Sequence, residues 1–310
     1  MQASKGDWSV TAGGERLMVT RDPASPLLTR FMQGYDRAFT LPDEREERAG
    51  FEACLALNGT AAATCEGRQS YEILAILVDA DDRLLGGLNF LASAMPVIAG
   101  HPPVSVALNY LFVEPEARGR GLSRRLVALT REVATCCFGL TGSTPGDVAV
   151  FIEQNDPFRM SDEAYRADSA HSGTDQFDRL DIWTRLGARL VDVDYVQPPL
   201  SAGQDADDSL LYAALDFPGE TMAAAFLRAH LSSFFSISVL KGRDAATDAV
   251  AGPQLAALER AERAGQVVAL VDMQAGIESG RRNRWSASSF GAVARAARGQ
   301  DGGKAQDGTD

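Results

Sequence analysis

The order of strands and helices predicted along the chain indicates a mixed α/β fold, an α+β arrangement around one mixed sheet. Two observations lead to it: apolar runs of strand length at 71–78, 84–92 and 104–113, and apolar residues at helical spacing over 26–35 and 122–133. The predicted order is strand, two helices, three strands, helix, strand, helix and two strands. It departs from the regular alternation that a doubly wound parallel sheet requires.

Local signals place most of these elements. A short strand is predicted over 15–20, and Pro26 after the candidate cap Ser25 starts the first helix. A second helix is predicted over 43–57, and the acidic turn at 79–83 joins two strands into a hairpin.

The second half of the chain is less regular. Strands are predicted over 148–152, 189–196 and 209–215, and the long polar segment 156–180 is predicted to be a loop. Further on, apolar residues at helical spacing over 222–234 predict another helix.

Composition and charge exclude several classes of protein. The chain has 42 acidic against 30 basic residues and a net charge of −12, which disfavours nucleic acid and anionic membranes as partners. The longest uncharged stretch, 84–109, is broken by glycine, proline and polar residues, and the N-terminus lacks the apolar core of a secretory signal. We therefore expect a cytoplasmic protein that does not enter a membrane.

Cysteine and histidine are too few and too scattered to predict a metal site. The chain has 4 cysteines and 3 histidines, without the spacings typical of zinc ligands. We expect buried free thiols and no metal.

One segment is typical of a ligand-binding turn. A strand ends at Val113, Pro115 follows it, and Arg118-Gly119-Arg120-Gly121 leads into a helix. Glycines permit a sharp turn and close approach of the backbone, and a helix N-terminus attracts anions such as a pyrophosphate. The alternative interpretation is an ordinary turn from strand to helix.

The same segment resembles the acetyl-coenzyme A-binding motif of the GNAT superfamily of N-acetyltransferases. The matching positions are Val113, Pro115, Arg118 and Gly121, and Ser123 stands where the family usually has glycine or alanine. The resemblance extends over about residues 15–216. Within it, Asn155 occupies the place of a strand-end asparagine, and Trp183 that of a tyrosine.

The resemblance implies a GNAT-like fold and direct transfer of an acetyl group from acetyl-CoA to an amine, without a metal. It also implies that backbone groups of one strand bind the pantetheine arm together with Asn155, and that the glycine turn binds the pyrophosphate. The implied cofactor-binding residues are Leu111, Phe112, Val113, Arg118, Gly119, Arg120, Gly121, Leu122, Ser123 and Asn155.

Candidate catalytic residues come from acidic segments that we expect to face the acceptor. Glu153 ends a strand beside the motif strand, so we predict that it is the general base, and Tyr165 is the candidate acid. An acidic lining attracts a cationic amine, so the predicted acceptor is a small-molecule or peptidic amine.

The sequence predicts three parts: an acetyltransferase domain at 15–216, a helical extension at 217–277 and a disordered tail at 278–310. The extension is expected to pack on the domain or to form a homo-oligomer contact. The tail has few large apolar residues to support ordering.

Two other functions remain open at this point. One is a catalytically silent acyl-CoA-binding or regulatory protein. The other is an interaction protein that works through residues 220–276.

Overall fold

A single mixed sheet runs through the chain, seen in a computed structural model that describes residues 6–40, 45–140, 144–201 and 203–304. The order of neighbouring strands is β1–β2–β4–β5–β6–β7–β9–β8–β11–β10, with the short β3 paired to β4. Every ladder between these described strands is antiparallel except β6–β7. The predicted mixed α/β class is confirmed.

The bounds of the elements are as follows. The strands are β1 (Trp8–Ala12), β2 (Glu15–Thr20), β3 (Thr64–Cys65), β4 (Arg68–Val78), β5 (Leu84–Ala94), β6 (Val104–Val113), β7 (Val148–Asn155), β8 (Ala188–Val191), β9 (Leu210–Leu215), β10 (Thr221–Ala223) and β11 (Val267–Val271). The helices are α1 (Pro26–Ala38), α2 (Arg48–Ala56), α3 (Leu122–Cys137), α4 (Asp162–Ser172), α5 (Gln176–Arg185), α6 (Ala224–Phe234), α7 (Ala251–Arg263), α8 (Gln274–Arg282) and α9 (Phe290–Lys304).

The parallel pair β6 and β7 separates partway along its length. Its ladder runs from Val104, opposite Val148, to Ala107, opposite Phe151. Both strands continue beyond this point, to Val113 and Asn155. The described ladders give the β7-facing edge of β6 no strand partner after Ala107, so an opening forms between the two strands at their carboxyl ends.

A β-bulge increases the distortion of β6. Asn89 of β5 lies opposite Tyr110, and the next residue, Phe90, lies opposite Leu108, so Asn109 is the extra residue. Bulges redirect side chains and are frequent near active sites. Here the bulge lies at the start of the opening between β6 and β7.

Three apolar clusters hold helices against the sheet. Helix α3 packs on one face through the apolar positions predicted from the sequence, and Leu126 and Val133 are fully buried there. The second cluster holds α1 and α2 through Phe31 and Phe51. The third holds α6 and the turn after it. Residues of all three clusters therefore meet around the opening between β6 and β7.

Helix α1 shows how a local signal sets an element. The Ser25 side chain accepts a hydrogen bond from the Leu27 amide at 3.1 Å, and Pro26 occupies the first helical position, as the sequence predicts. The predicted loop at 156–180 is wrong. Helices α4 and α5 cover most of it, each capped by an acceptor side chain: Ser161 for α4 and Asp175 for α5.

Residues 217–277 are more than a helical extension. They add β10 and β11 to the sheet, where β11 pairs with β8 of the domain. A π-helical turn, Phe235–Val239, follows α6 directly, and Phe235 and Ile237 are buried. The extension thus packs on the domain as part of its sheet and core.

The predicted disorder of residues 278–310 is wrong for the part that the structure describes. Helix α8 ends within this range and α9 follows it, and Phe290 and Ala294 are buried in the same cluster as α3. Residues 305–310 lie outside the described residues. Among the helices described, none is long and apolar enough to cross a membrane.

Candidate active site

A cleft of about 640 Å³ lies where β6 ends and α3 begins. One wall is the end of β6 with the turn that follows it, and the opposite wall comes from α4 and α5. The lining includes these residues predicted to bind the cofactor: Leu111, Phe112, Val113, Arg118, Gly119, Gly121, Leu122 and Ser123. The structure therefore brings most of the predicted set to one place.

The turn at the start of α3 has the geometry of an anion site. Gly119 has φ +76° and Gly121 has φ +72°, and a Cβ added at either position would meet no heavy atom within 4 Å. Gly121 is the N-cap, and no side chain in the described residues caps the first turn of α3. The N–H groups of that turn and the positive end of the helix dipole thus face an open cleft.

Arginines surround the cleft and are held in place. Arg118 donates to the Ser172 carbonyl at 3.0 Å, and Arg124 donates to the Arg185 carbonyl at 3.2 Å. These bonds tie the turn to α4 and α5 through backbone carbonyl groups. Arg120, predicted to bind the cofactor, is absent from the cleft lining, and its guanidinium donates to Glu15 at 3.1 Å.

Phe112 contributes to the cleft from within the core. Its side chain is 4% exposed and packs against Phe31, with 5.5 Å between ring centroids. The side chain is thus committed to the core under α1. The residue is suited to contribute its backbone, on the unpaired edge of β6, rather than its ring.

A second, smaller cavity of about 170 Å³ adjoins the cleft. Leu111, Gln154 and Trp183 line both, so the two spaces meet at the opening between β6 and β7. Asn155, predicted to bind the cofactor, lines this smaller cavity instead of the cleft. Because the cavity opens toward the cleft, molecules bound in the two spaces can approach each other at the strand ends.

Glu153 is buried in the wall of the smaller cavity. It accepts hydrogen bonds from the Tyr195 hydroxyl and, at 3.2 Å, from the Gln197 amide. Burial raises the pKa of Glu153 to about 7, while the bond from Tyr195 acts in the opposite direction. A carboxyl group with this pKa changes protonation near neutral pH, as a general base must.

Glu72 is a second buried carboxyl in the same cavity, and the sequence reasoning missed it. It is 2% exposed, and burial raises its pKa to about 7 as well. It accepts hydrogen bonds from Asn89 at 2.6 Å and from Ser238 at 2.8 Å. The signal was available: Glu72 is the one charged residue in the apolar run 71–78.

Tyr165 is not brought to Glu153. It lies on α4, its hydroxyl donates to Asp175 at 2.5 Å, and Arg284 stacks 4.7 Å from the ring centroid. Burial and Asp175 raise its pKa. Tyr165 lines neither cavity, so the structure gives no support to the prediction that it is the acid.

Trp183 occupies the boundary between the two spaces. It lines both of them, at the position where the sequence resemblance has a tyrosine. An indole ring cannot give up a proton as a phenol does. Within the described residues, no group of His, Cys, Asp and Glu side chains is arranged to hold a metal ion.

Searches by sequence return nothing: no family model and no curated protein matches the chain. Solved structures do match. A chimera of the Vibrio cholerae spermidine N-acetyltransferase with hSSAT is 11% identical, covering 66% of this chain and 95% of that one at a TM-score of 0.35. An aminoglycoside 6′-N-acetyltransferase complexed with coenzyme A is 16% identical, covering 63% and 94% at a TM-score of 0.34.

A third match is the ribosomal-protein-S18-alanine N-acetyltransferase from Escherichia coli. It is 13% identical and covers 64% of this chain and 92% of that one, at a TM-score of 0.31. Each of these three solved structures is described as an N-acetyltransferase.

Proposed function

We propose that the chain is a member of the GNAT superfamily that transfers an acetyl group from acetyl-CoA directly to a primary amine of a small acceptor. One observation carries the proposal: two spaces meet at the unpaired end of β6, one built for an anion and the other lined by buried carboxyl groups. Such an arrangement suits a phosphate-bearing acyl donor on one side and a cationic acceptor on the other.

Acetyl-CoA fits the cleft in charge and in backbone geometry. The open turn at 119–123 presents N–H groups for the pyrophosphate, with Arg118 and Arg124 beside it. The unpaired edge of β6 offers N–H and carbonyl groups, which an extended chain such as the pantetheine arm pairs with as an added strand does.

When bound, acetyl-CoA supplies the acetyl group as an activated thioester. A backbone N–H on the free edge of β6 is placed to donate to the thioester carbonyl oxygen as negative charge develops there. Holding both reactants at the opening between β6 and β7 lowers the entropic cost of their reaction.

Glu153 acts as the general base that removes a proton from the acceptor. Acetylation converts an ammonium to an amide, so the nitrogen loses two protons. Glu153 accepts the first, which gives the free amine, and passes it to solvent. The second leaves the nitrogen as the C–N bond forms and the C–S bond breaks, and it neutralises the departing thiolate.

The cavity limits the size of the group that enters it. A volume of about 150 Å³ holds a molecule the size of benzene, and the smaller cavity, which opens toward the cleft, has about 170 Å³. Phe234, Ser238 and Val239 of the extension form part of its wall. We therefore narrow the predicted acceptor from a small or peptidic amine to a small one.

A catalytically silent acyl-CoA-binding protein is the second candidate. It is favoured by Trp183 at the boundary of the two spaces and by the distance of Tyr165 from both, since neither supplies a proton to the thiolate.

Single-turnover transfer of labelled acetyl from acetyl-CoA to a panel of small amines separates the two functions. We expect transfer, with Glu153→Gln lowering kcat by about 10²–10⁴-fold, the usual effect of losing a general base. Affinity for acetyl-CoA stays the same. Glu163→Gln, an exposed acid on α4, is the matched control and keeps parental turnover.

Three outcomes would contradict the proposal in different ways. Tight binding of acetyl-CoA without transfer to any amine would favour the silent protein. Near-parental turnover by Glu153→Gln would remove Glu153 from the mechanism. Absence of acetyl-CoA binding would overturn both functions.

A further inference from the structure

Glu72 is a buried carboxyl group, and when it is ionised no cation in the described structure neutralises it directly. Its three hydrogen-bond donors, all neutral side chains, are Asn89, Ser238 and, at 3.4 Å, Asn109. The nearby cation Lys241 bonds Glu46 instead, at 2.7 Å. Burying a charge without a partner is costly, so the site favours a cation that enters from the cavity.

An independent observation that points to a ligand is the side-chain oxygen of Asn109. The β-bulge places this residue in the lining of the same cavity. Its Nδ2 donates to Asn89 at 3.1 Å, but its Oδ1 is buried and has no hydrogen-bond partner within the described residues. A buried acceptor without a donor is rare in proteins, and here it lies beside Glu72.

Glu72 and Glu153 come from strands that are three positions apart in the sheet. In the sheet, Glu72 lies opposite Leu91, which lies opposite Ala107, which lies opposite Phe151. Glu153 comes two residues after Phe151 on β7. Three strand spacings separate the two backbones by roughly 14 Å.

The two carboxylates are also held by different elements. The side-chain donors to Glu72 come from β5, β6 and the π-helical turn, whereas Glu153 is held by Tyr195 and Gln197, which follow β8 in the chain. They share no partner, yet both line the cavity of about 170 Å³. The two carboxylates thus lie at separate positions in a cavity that Glu46, paired with Lys241, and Asp207 also line.

The extension completes the site at Glu72. Ser238, on the π-helical turn Phe235–Val239, donates to Glu72 from the side opposite the sheet. Lys241 then fixes the end of this turn by donating to the Leu200 carbonyl at 2.6 Å. π-Helical turns are frequent at functional sites, and this one positions Ser238 against the Glu72 carboxylate.

On the basis of the proposed function, we propose that the acceptor is a small molecule with two cationic groups. The ammonium that does not react binds the Glu72 carboxylate and donates to Oδ1 of Asn109. The amine that is acetylated lies at Glu153, where the cavity meets the cleft. The ligand class is therefore a short diamine or an equally small dication.

A pair of matched amines tests the proposal: 1,4-diaminobutane, with two amino groups, and butylamine, with one. For the parent protein we expect kcat/KM for the diamine to exceed that for butylamine by about 10- to 100-fold, the size of a charge-assisted hydrogen bond. Glu72→Gln should remove most of this preference, mainly by raising KM for the diamine. Glu153→Gln should lower kcat for both amines.

Direct binding keeps the test independent of turnover and of folding. Calorimetric binding of 1,4-diaminobutane should weaken in Glu72→Gln and, to a smaller degree, in Asn109→Ser, each checked by its melting temperature. Equal kcat/KM for the two amines in the parent would overturn this inference and leave the acetyltransferase standing. Acetyl-CoA that fails to bind would overturn the proposed function itself.

Discussion

At the scale of single residues, burial gives the smaller cavity its chemistry. Desolvation is the largest cause of the raised pKa of both Glu72 and Glu153, ahead of any neighbouring charge. Hydrogen bonds from Asn89 and Ser238 on one carboxyl and from Tyr195 on the other lower the pKa, so both values come to about 7. Both groups can therefore exchange protons or bind cations at neutral pH.

This burial predicts an unusual dependence of stability on pH. In the folded state each carboxyl keeps its proton up to about pH 7, whereas in the unfolded chain it loses its proton near the ordinary glutamate pKa of 4.5. The free energy of unfolding should therefore fall as pH rises between these values. Glu72→Gln and Glu153→Gln should each become more stable than the parent by about 2–3 kcal/mol at pH 8.

Urea unfolding at pH 5, 6, 7 and 8 measures this difference. At pH 5 the difference should be small, because both carboxyl groups are protonated in the folded parent. Glu163→Gln, exposed on α4, should follow the parent at every pH. If the free energy of unfolding of each Gln variant differs from that of the parent by the same amount at every pH, the pKa values of Glu72 and Glu153 are not raised in the folded state.

Single residues also show which parts of the candidate site the sequence can predict. The order of elements is enough to predict that Glu153 lies near the end of a strand beside the motif strand, and its role as the base stays a prediction. Glu72 stands out in the sequence as a charge inside an apolar strand run, but the run does not reveal whether the side chain faces a cavity. The sequence predicts a loop at Tyr165, whereas Ser161 caps a helix there and the Tyr165 hydroxyl donates to Asp175.

At the scale of elements, helices α8 and α9 show why composition alone predicts disorder after residue 278, where the structure has helices. Few large apolar residues occur after 278, but small residues on α8 allow close packing. The ring of Phe290 lies 2.5 Å from where a Cβ on Gly276 would be, and that of Phe177 lies 2.1 Å from the same point on Gly280. The Phe290 amide also donates to Asp156 at 2.8 Å. The rings of Phe290 and of Phe177, which lies on α5, thus both pack against α8 and hold the segment in place.

Phe290→Ala tests this docking. The side chain is 0% exposed, so its removal should lower the free energy of unfolding by about 3–5 kcal/mol. Trp285→Ala, at a position 63% exposed, is the control and should change it by about 0.5 kcal/mol or less. If urea unfolding shows no loss for Phe290→Ala, the tail is undocked in solution, as its composition predicts.

At the scale of the whole molecule, the opening between β6 and β7 organises the site. The cleft, with the α3 turn, lies on one side of it, and the cavity completed by the extension lies on the other. The glycine motif predicts the cleft, because a backbone that approaches a ligand closely needs glycines at set positions in a short stretch of sequence. The cavity could not be predicted, because Glu72, Asn109, Glu153 and Ser238 are far apart in the chain and meet only through sheet register and the docked extension.

The central claim is that the cleft at the start of α3 binds acetyl-CoA. Calorimetry on the parent, Ser123→Gln and Ser123→Glu tests it most directly, since the two variants differ in charge and hardly in size. We predict one site in the parent, a modest loss for Ser123→Gln and a loss of more than about 10-fold for Ser123→Glu, which places a carboxylate where the pyrophosphate binds.

An acidic residue in the first turn of a helix stabilises that helix, so Ser123→Glu should melt at or above the parental temperature while losing affinity. Loss of affinity without loss of stability would confirm the cleft as the acetyl-CoA site. A parent that does not bind acetyl-CoA, or a Ser123→Glu variant that binds it as tightly as the parent does, would contradict the account.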